Sequence, residues 1–333
     1  MRRSLFQESQ SYGSRDGKSL LPDFIVVGAV KSGTTWLFDR LSSHPSIYIP
    51  TIKECRFFSC MPRDQRGGPA ARYQNRGPRS LGGYLKLFEG AEQQIKGDIS
   101  NDYFFHYGTA IYAIKDAYDK AGKTYPKIII VLRNPYTRAF SLYAHAARLG
   151  SERKAFLDAL YAEQQREKEG FTWVMRYCRA ALSYEATRAY RAAFPDVFIS
   201  VFEDLFSDKM LRDISRFLGI DGQPWTDTTS VSSLRSNTGF YRRYPTYGHY
   251  VLERLLHFLI HAGRRPVEKM VGSRFRGLDQ VEMWLRTSLS VRVRFCTDAA
   301  LVLRQSLAED IEALADYLDD ERVRNWVPPV EIG

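Results

Sequence analysis

Lys31, Ser32, Gly33, Thr34 and Thr35 crowd a cation, three hydroxyls and a glycine into five consecutive positions. The lysine supplies a full positive charge, the hydroxyls supply hydrogen-bond donors, and the glycine lets backbone approach a ligand closely. The chemistry served by such a set is the holding of a phosphate-like anion. A second set lies much later in the chain, at Arg133 and Ser141, eight residues apart. An arginine can grip phosphate oxygens through two parallel N–H groups.

The elements around these residues determine what they can reach. Phe24 to Val27 is a short apolar, β-branched run that reads as a buried strand ended by Gly28. Trp36, Leu37 and Leu41 then recur with helical spacing. The first set therefore sits in a loop between a strand and a helix N-terminus, where backbone N–H groups and the helix dipole favour an anion. Ile128 to Leu132 reads as a central parallel strand. Arg133 falls at its C-terminal end, where open α/β sheets bind ligands, and Pro135 suits the first turn of the next helix. A helix running back along the sheet brings Arg133 and Ser141 near one anion. The first loop is not a Walker A motif, which needs Lys directly after its second Gly and then Ser or Thr. Here Thr34 follows Gly33, the Lys lies two residues before that Gly, and no Asp is obviously placed for Mg²⁺. An anhydride held without metal fits better than ATP with Mg²⁺.

The run Lys31-Ser-Gly-Thr-Thr-Trp36-Leu37 resembles the 5′-phosphosulfate loop of sulfotransferases that use 3′-phosphoadenosine-5′-phosphosulfate (PAPS). Arg133 ending a strand, with Ser141 in the next helix, resembles that family's 3′-phosphate motif. Lys53-Glu54-Cys-Arg-Phe-Phe58 resembles the matching stretch of the heparan sulfate, or glycan, branch. The resemblance implies an α/β, P-loop-like three-layer fold with a central parallel sheet flanked by helices. It implies PAPS as co-substrate, 3′,5′-ADP as product and no metal. It places Lys31, Ser32, Gly33, Thr34, Thr35 and Trp36 at the 5′ end of the donor, and Arg133 and Ser141 at the 3′-phosphate. Lys31 would offset charge growing on the oxygen between phosphorus and sulfur, and Glu54 would be the general base that takes the acceptor's proton. Arg242-Arg243-Tyr244-Pro245 is similar to the family's Gly-Arg-x-Tyr-Pro loop without its glycine, which adds Arg242 to the 3′-phosphate set.

The sequence also departs from the pattern. Arg56 stands where the family's glycan O-sulfotransferases often have His. Asp98, Ser100 and Tyr103 match the Glu-Lys-Ser/Thr-Pro-x-Tyr segment in kind, whereas Ile99 and Asn101 do not. The expected reaction is sulfuryl transfer to a hydroxyl of a carbohydrate, or of a glycosylated or secondary metabolite, with an amine acceptor as the second alternative. Two other readings stay open: a P-loop nucleotide kinase-like phosphotransferase, and a non-enzymatic module that binds acidic glycans.

The chain has 333 residues, 44% hydrophobic, with a formal net charge of +10. It can bury a large core, and its charge suits an anionic ligand or acidic polymer. No nucleic-acid-binding motif appears, so nucleic acid is not an expected partner. The four cysteines form no CxxC pair and point to a reducing compartment, as small core hydrophobes. Residues 1–20 are polar, without the apolar stretch of a signal peptide, and read as a flexible tail before a single domain over 21–333. No run approaches ~18 apolar residues, so no integral membrane segment is expected. These features place the protein in the cytoplasm and, since animal Golgi sulfotransferases usually carry a membrane anchor, favour a bacterial member.

Further elements follow from periodicity: helices over 83–88, 109–118, 208–218 and 301–318, and strands over 47–49 and 197–202. Residues 61–82 read as a long loop, either an acceptor-side lid or unstructured. Residues 150–170 read as charged and helical in pattern, an exposed insertion, and 173–194 as helical. Glu203 and Asp204 read as structural, and Trp326 as core packing. The segment 235–276 holds nine Arg or Lys against two Glu. It would close over the cofactor, meet an acidic acceptor, or rest Val251 to Ala262 on a membrane surface.

Overall fold

The computed structural model describes residues 19–60, 77–91, 94–220 and 290–329, together with positions 225, 242–243, 248–249, 251–252, 255–256 and 258. Strands β1 (Phe24–Gly28), β2 (Ile47–Tyr48), β3 (Ile95–Ile99), β4 (Lys127–Leu132) and β5 (Val197–Val201) form one sheet in the order β2-β3-β1-β4-β5. Every pairing is parallel. The helices described in full are α1 (Thr34–Ser42), α2 (Leu81–Leu85), α3 (Asp102–Phe105), α4 (Tyr107–Ala121), α5 (Pro135–Arg148), α6 (Phe156–Tyr161), α7 (Glu163–Lys168), α8 (Tyr184–Ala193), α9 (Asp208–Leu218), α10 (Thr297–Leu318) and α11 (Glu321–Arg324). A short antiparallel pair joins β6 (Arg242–Arg243) to β7 (Val291–Arg292).

The side chains of β1 and β4 alternate between two cores, as a sheet covered on both faces requires. Ile25, Val27, Ile128, Ile130 and Leu132 pack with α4 and α8 on one side. Phe24, Val26, Ile129 and Val131 pack with Trp36 and Leu37 of α1 and Ile214 of α9 on the other. A third core joins Phe140 and Tyr143 of α5, Phe156 of α6, Trp173, and Leu303 and Leu307 of α10.

Several expectations are corrected here. Residues 150–170 are not an exposed insertion: Phe156, Ala159 and Leu160 are buried, and buried Glu152 accepts from Arg166 and the Tyr177 hydroxyl. The stretch 173–194 is two 3-10 turns, Trp173–Met175 and Arg179–Ala181, before α8, instead of one helix. β3 is not among the strands expected from periodicity. Asp98 is fully buried yet accepts hydrogen bonds from Tyr84 and Tyr103 at 2.9 Å and from Ser100 at 2.8 Å. Gly97 leaves room for the Phe24 ring, which a Cβ there would meet at 2.2 Å. Leu20 and Leu21 are buried, so the core begins inside the stretch read as a tail. Cys296 is exposed and is not a core hydrophobe. The tail over 1–18, the loop over 61–76 and most of the basic segment lie outside the described residues. Among the described residues, no helix is long and apolar enough to cross a membrane.

Candidate active site

The loop after β1 is set by Gly33, which caps α1 at φ +83°. A Cβ at this position would lie 2.2 Å from Leu205 Cδ2, so glycine is required for space as well as for backbone angle. The first helical bond runs from the Leu37 N–H to the Gly33 carbonyl at 3.1 Å. The N–H groups of Thr34, Thr35 and Trp36 precede it and have no carbonyl within the helix. Ser32 is fully buried and its Oγ has no hydrogen-bond partner among the described residues. An orphaned hydroxyl costs about 1–3 kcal/mol unless a ligand satisfies it. Thr35 is exposed and accepts from Lys53 Nζ at 2.5 Å. Trp36 is buried in the core, edge-on to Phe206 with ring centroids 5.3 Å apart, so it can offer a ligand mainly its backbone N–H.

Arg133 leaves the C-terminal end of β4. Its Nη1 donates to the Lys31 carbonyl at 2.7 Å, its Nε donates to Thr137 Oγ1 at 3.2 Å, and its guanidinium lies 4.4 Å from the centroid of the Phe202 ring. Asn134 caps α5 by accepting from the N–H groups of Tyr136 and Thr137, and Pro135 fills the first turn as expected. Thr137 and Ser141 are four residues apart on α5 and share one side of it, so Arg133 and Ser141 are brought to the same side. His145 and Arg148 continue that stripe, with Arg148 Nη2 3.3 Å from His145 Nδ1. Thr137, His145 and Arg148 were missed from sequence. Their spacing of four and three along a helix that starts beside Arg133 is the signal that marks them.

Electrostatics tie the two loops together. Burial, then the charges of Arg148 and Arg133, lower Lys31 to about 8, with Glu54 opposing the shift. Burial, then Lys31 and Arg148, lower His145 to about 3.

Glu54 follows β2 in a turn where Glu54 and Arg56 both have left-handed backbone, at φ 60° and 55°. The turn is pinned to the end of β3: the Glu54 N–H donates to the Ile99 carbonyl at 3.2 Å, and the Arg56 N–H to Ser100 Oγ at 3.1 Å. Glu54 Oε2 accepts from Arg56 Nη2 at 2.5 Å, and Oε1 accepts from Asn101 Nδ2 at 2.7 Å. Phe57 and Phe58 anchor the turn against Tyr84, with centroids 4.7 and 5.1 Å away. Lys31, Glu54, Asn101 and Arg133 thus all lie past the C-terminal ends of parallel strands, where ligands of open α/β sheets sit. Arg242 pairs with Arg292 through backbone, and its side chain lies outside the described residues. A hollow of about 490 Å³ lies instead beside edge strand β5, among Ser200, Asp204, Met210 and Arg322, and holds none of these groups.

At this helix N-terminus Lys31 lies in the field of Arg148, Arg133 and Lys53, opposed by Glu54, which is itself paired with Arg56. Such a place can hold an anion of several charges, and a carboxylate lies beside it. Among the described residues, no group of His, Cys, Asp and Glu could hold a metal ion.

No family model matches the chain. It is 29% identical over 132 residues to the human bifunctional heparan sulfate N-deacetylase/N-sulfotransferase 3, a match of 38% of this chain and 13% of that protein. It is 32% identical over 136 residues to the membrane-associated sulfotransferase kil1 of Dictyostelium discoideum, covering 38% and 24%. The chain therefore spans a quarter or less of the curated relatives it matches. A solved sulfotransferase from Alicyclobacillus acidocaldarius superposes with a TM-score of 0.56 and 29% identity, over 78% of this chain and 99% of the other.

Proposed function

We propose that this relative of the sulfotransferases moves a sulfuryl group from PAPS to a hydroxyl of a carbohydrate, or of a glycosylated or secondary metabolite, and releases 3′,5′-ADP. The observation that carries the reading is the 2.7 Å bond from Arg133 to the Lys31 carbonyl. It joins the loop after β1 to the end of β4, which supports assigning these two places to the two ends of one doubly phosphorylated nucleotide. The heparan sulfate N-sulfotransferase similarity supports a glycan acceptor, and the four free cysteines suit a cytoplasmic setting.

On this reading Ser32, Gly33, Thr34 and Thr35, with the Trp36 N–H, hold the 5′-phosphate. Arg133 and Ser141 hold the 3′-phosphate, with Arg242 as a further contact. The orphaned Ser32 hydroxyl fits such a ligand. In the transfer, a bond forms between the acceptor oxygen and sulfur as the bond from sulfur to the bridging oxygen breaks. The electron pair leaves on the phosphate oxygen, where Lys31 offsets its charge. Glu54 takes the hydroxyl proton. The nucleophile belongs to the acceptor, so no covalent enzyme intermediate forms. Lysine, arginine and backbone N–H groups fill the electrostatic role that Mg²⁺ has in kinases.

Calorimetry with 3′,5′-ADP, 5′-AMP and Mg·ATP, followed by mass spectrometry of glycans and glycosides incubated with PAPS, tests the reading. Preferential uptake of 3′,5′-ADP and a sulfated product are expected. Preference for Mg·ATP would point to a phosphotransferase, and glycan binding without nucleotide uptake to a non-enzymatic module.

A further inference from the structure

Two positions where this chain departs from the glycan-sulfotransferase pattern, Arg56 and Asn101, meet on the same side chain. Resting on the reading of Glu54 as the base, we propose that Asn101 and Arg56 are positioning residues that clamp its two carboxylate oxygens and fix their direction. Asn101 Nδ2 is 2.7 Å from Oε1 and Arg56 Nη2 is 2.5 Å from Oε2. One donor on each oxygen restrains the carboxylate's rotation, and each oxygen keeps a lone pair for an acceptor hydroxyl. A free glutamate side chain would spread over several rotamers, and a base must lie within hydrogen-bond reach of the proton it removes.

The clamp is itself anchored. The backbones of Glu54 and Arg56 are pinned to Ile99 and Ser100 at the end of β3, and Asn101 is the next residue of that turn. Asn101 is buried, with 8% of its surface exposed. Among the described residues Arg56 Nε is buried without a hydrogen-bond partner, and Nη2 forms its ion pair with Glu54. Fully buried Asp102 supplies a further counter-charge to that guanidinium. A half-buried arginine is held more firmly by such charge.

The discriminating experiment is a pair of double-mutant cycles in the full chain, Asn101→Ala with Glu54→Gln and Arg56→Gln with Glu54→Gln. Asn101→Ala and Arg56→Gln should each lower kcat about tenfold, with KM for PAPS and 3′,5′-ADP affinity within about twofold of the parent. In the Glu54→Gln background the same changes should cost less than about twofold, because a residue that acts through Glu54 has nothing left to position. Equal losses in both backgrounds, or losses matched by weaker 3′,5′-ADP binding, would overturn the clamp while leaving the base in place. Normal turnover of Glu54→Gln alone would instead remove the base, and the clamp with it. Far-UV circular dichroism identifies a variant that fails to fold, and the cycle with the folded variant then carries the test by the same criteria.

Discussion

Gly33 and Leu205 stand so close that a Cβ on Gly33 would come within 2.2 Å of Leu205 Cδ2. Leu205 follows β5, so the far edge of the sheet dictates the residue type in the anion loop. Gly33→Ala adds a clash to a backbone at φ +83° and should lower stability by about 2–4 kcal/mol, measured by denaturant midpoint. Leu205 is fully buried, so Leu205→Ala destabilises by itself, but it should cost less in the Gly33→Ala background than in the parent, by the clash portion. An unchanged midpoint in Gly33→Ala would show that the loop has room which these contacts deny.

Arg133→Ala should weaken 3′,5′-ADP by about 10- to 100-fold, the worth of hydrogen bonds to a charged group. Affinity for 5′-AMP, which lacks the 3′-phosphate, should change far less. Calorimetry of both ligands provides the comparison, and equal losses would contradict the 3′-phosphate assignment.

Lys31 gives a pH prediction. Its value near 8 lies below the usual 10.5, chiefly through burial and the charges of Arg148 and Arg133. The cation is present below pH 8, so kcat/KM for the donor should fall as pH rises through about 8. Lys31→Arg keeps its charge at high pH and should move that limb upward. Between about 8 and 10.5 the unfolded chain binds the extra proton, so the ligand-free protein should gain stability as pH rises through that window. A profile flat from 7 to 10 in the native enzyme would remove the charge role. Lys31→Ala should lower kcat by about 10²- to 10³-fold.

Turnover should survive EDTA, since side chains and backbone N–H groups supply the positive field. Loss of activity that Mg²⁺ restores would point to a metal-assisted phosphotransferase.

Local chemistry determined much of this protein. The β-branched run before Gly28, the Lys31–Thr35 loop, the strand ending at Arg133 and the proline opening α5 could be read directly, because each depends on neighbours within a few residues. Helix α9 has the expected bounds, Asp208–Leu218, for the same reason. Strand β3 escaped, because what makes Lys96-Gly-Asp98 a buried strand is Phe24 over Gly97 and two tyrosines on Asp98, all distant or separately placed in the chain. The role of Glu54 was suggested by resemblance, while its neighbours Arg56 and Asn101 looked like departures. Only the packed sheet, which lays the turn after β2 against the end of β3 and the loop after β1 against Arg133, decided which residues face one another. Side-chain direction at such junctions is set by strand register and helix packing, neither of which a linear run of residues contains.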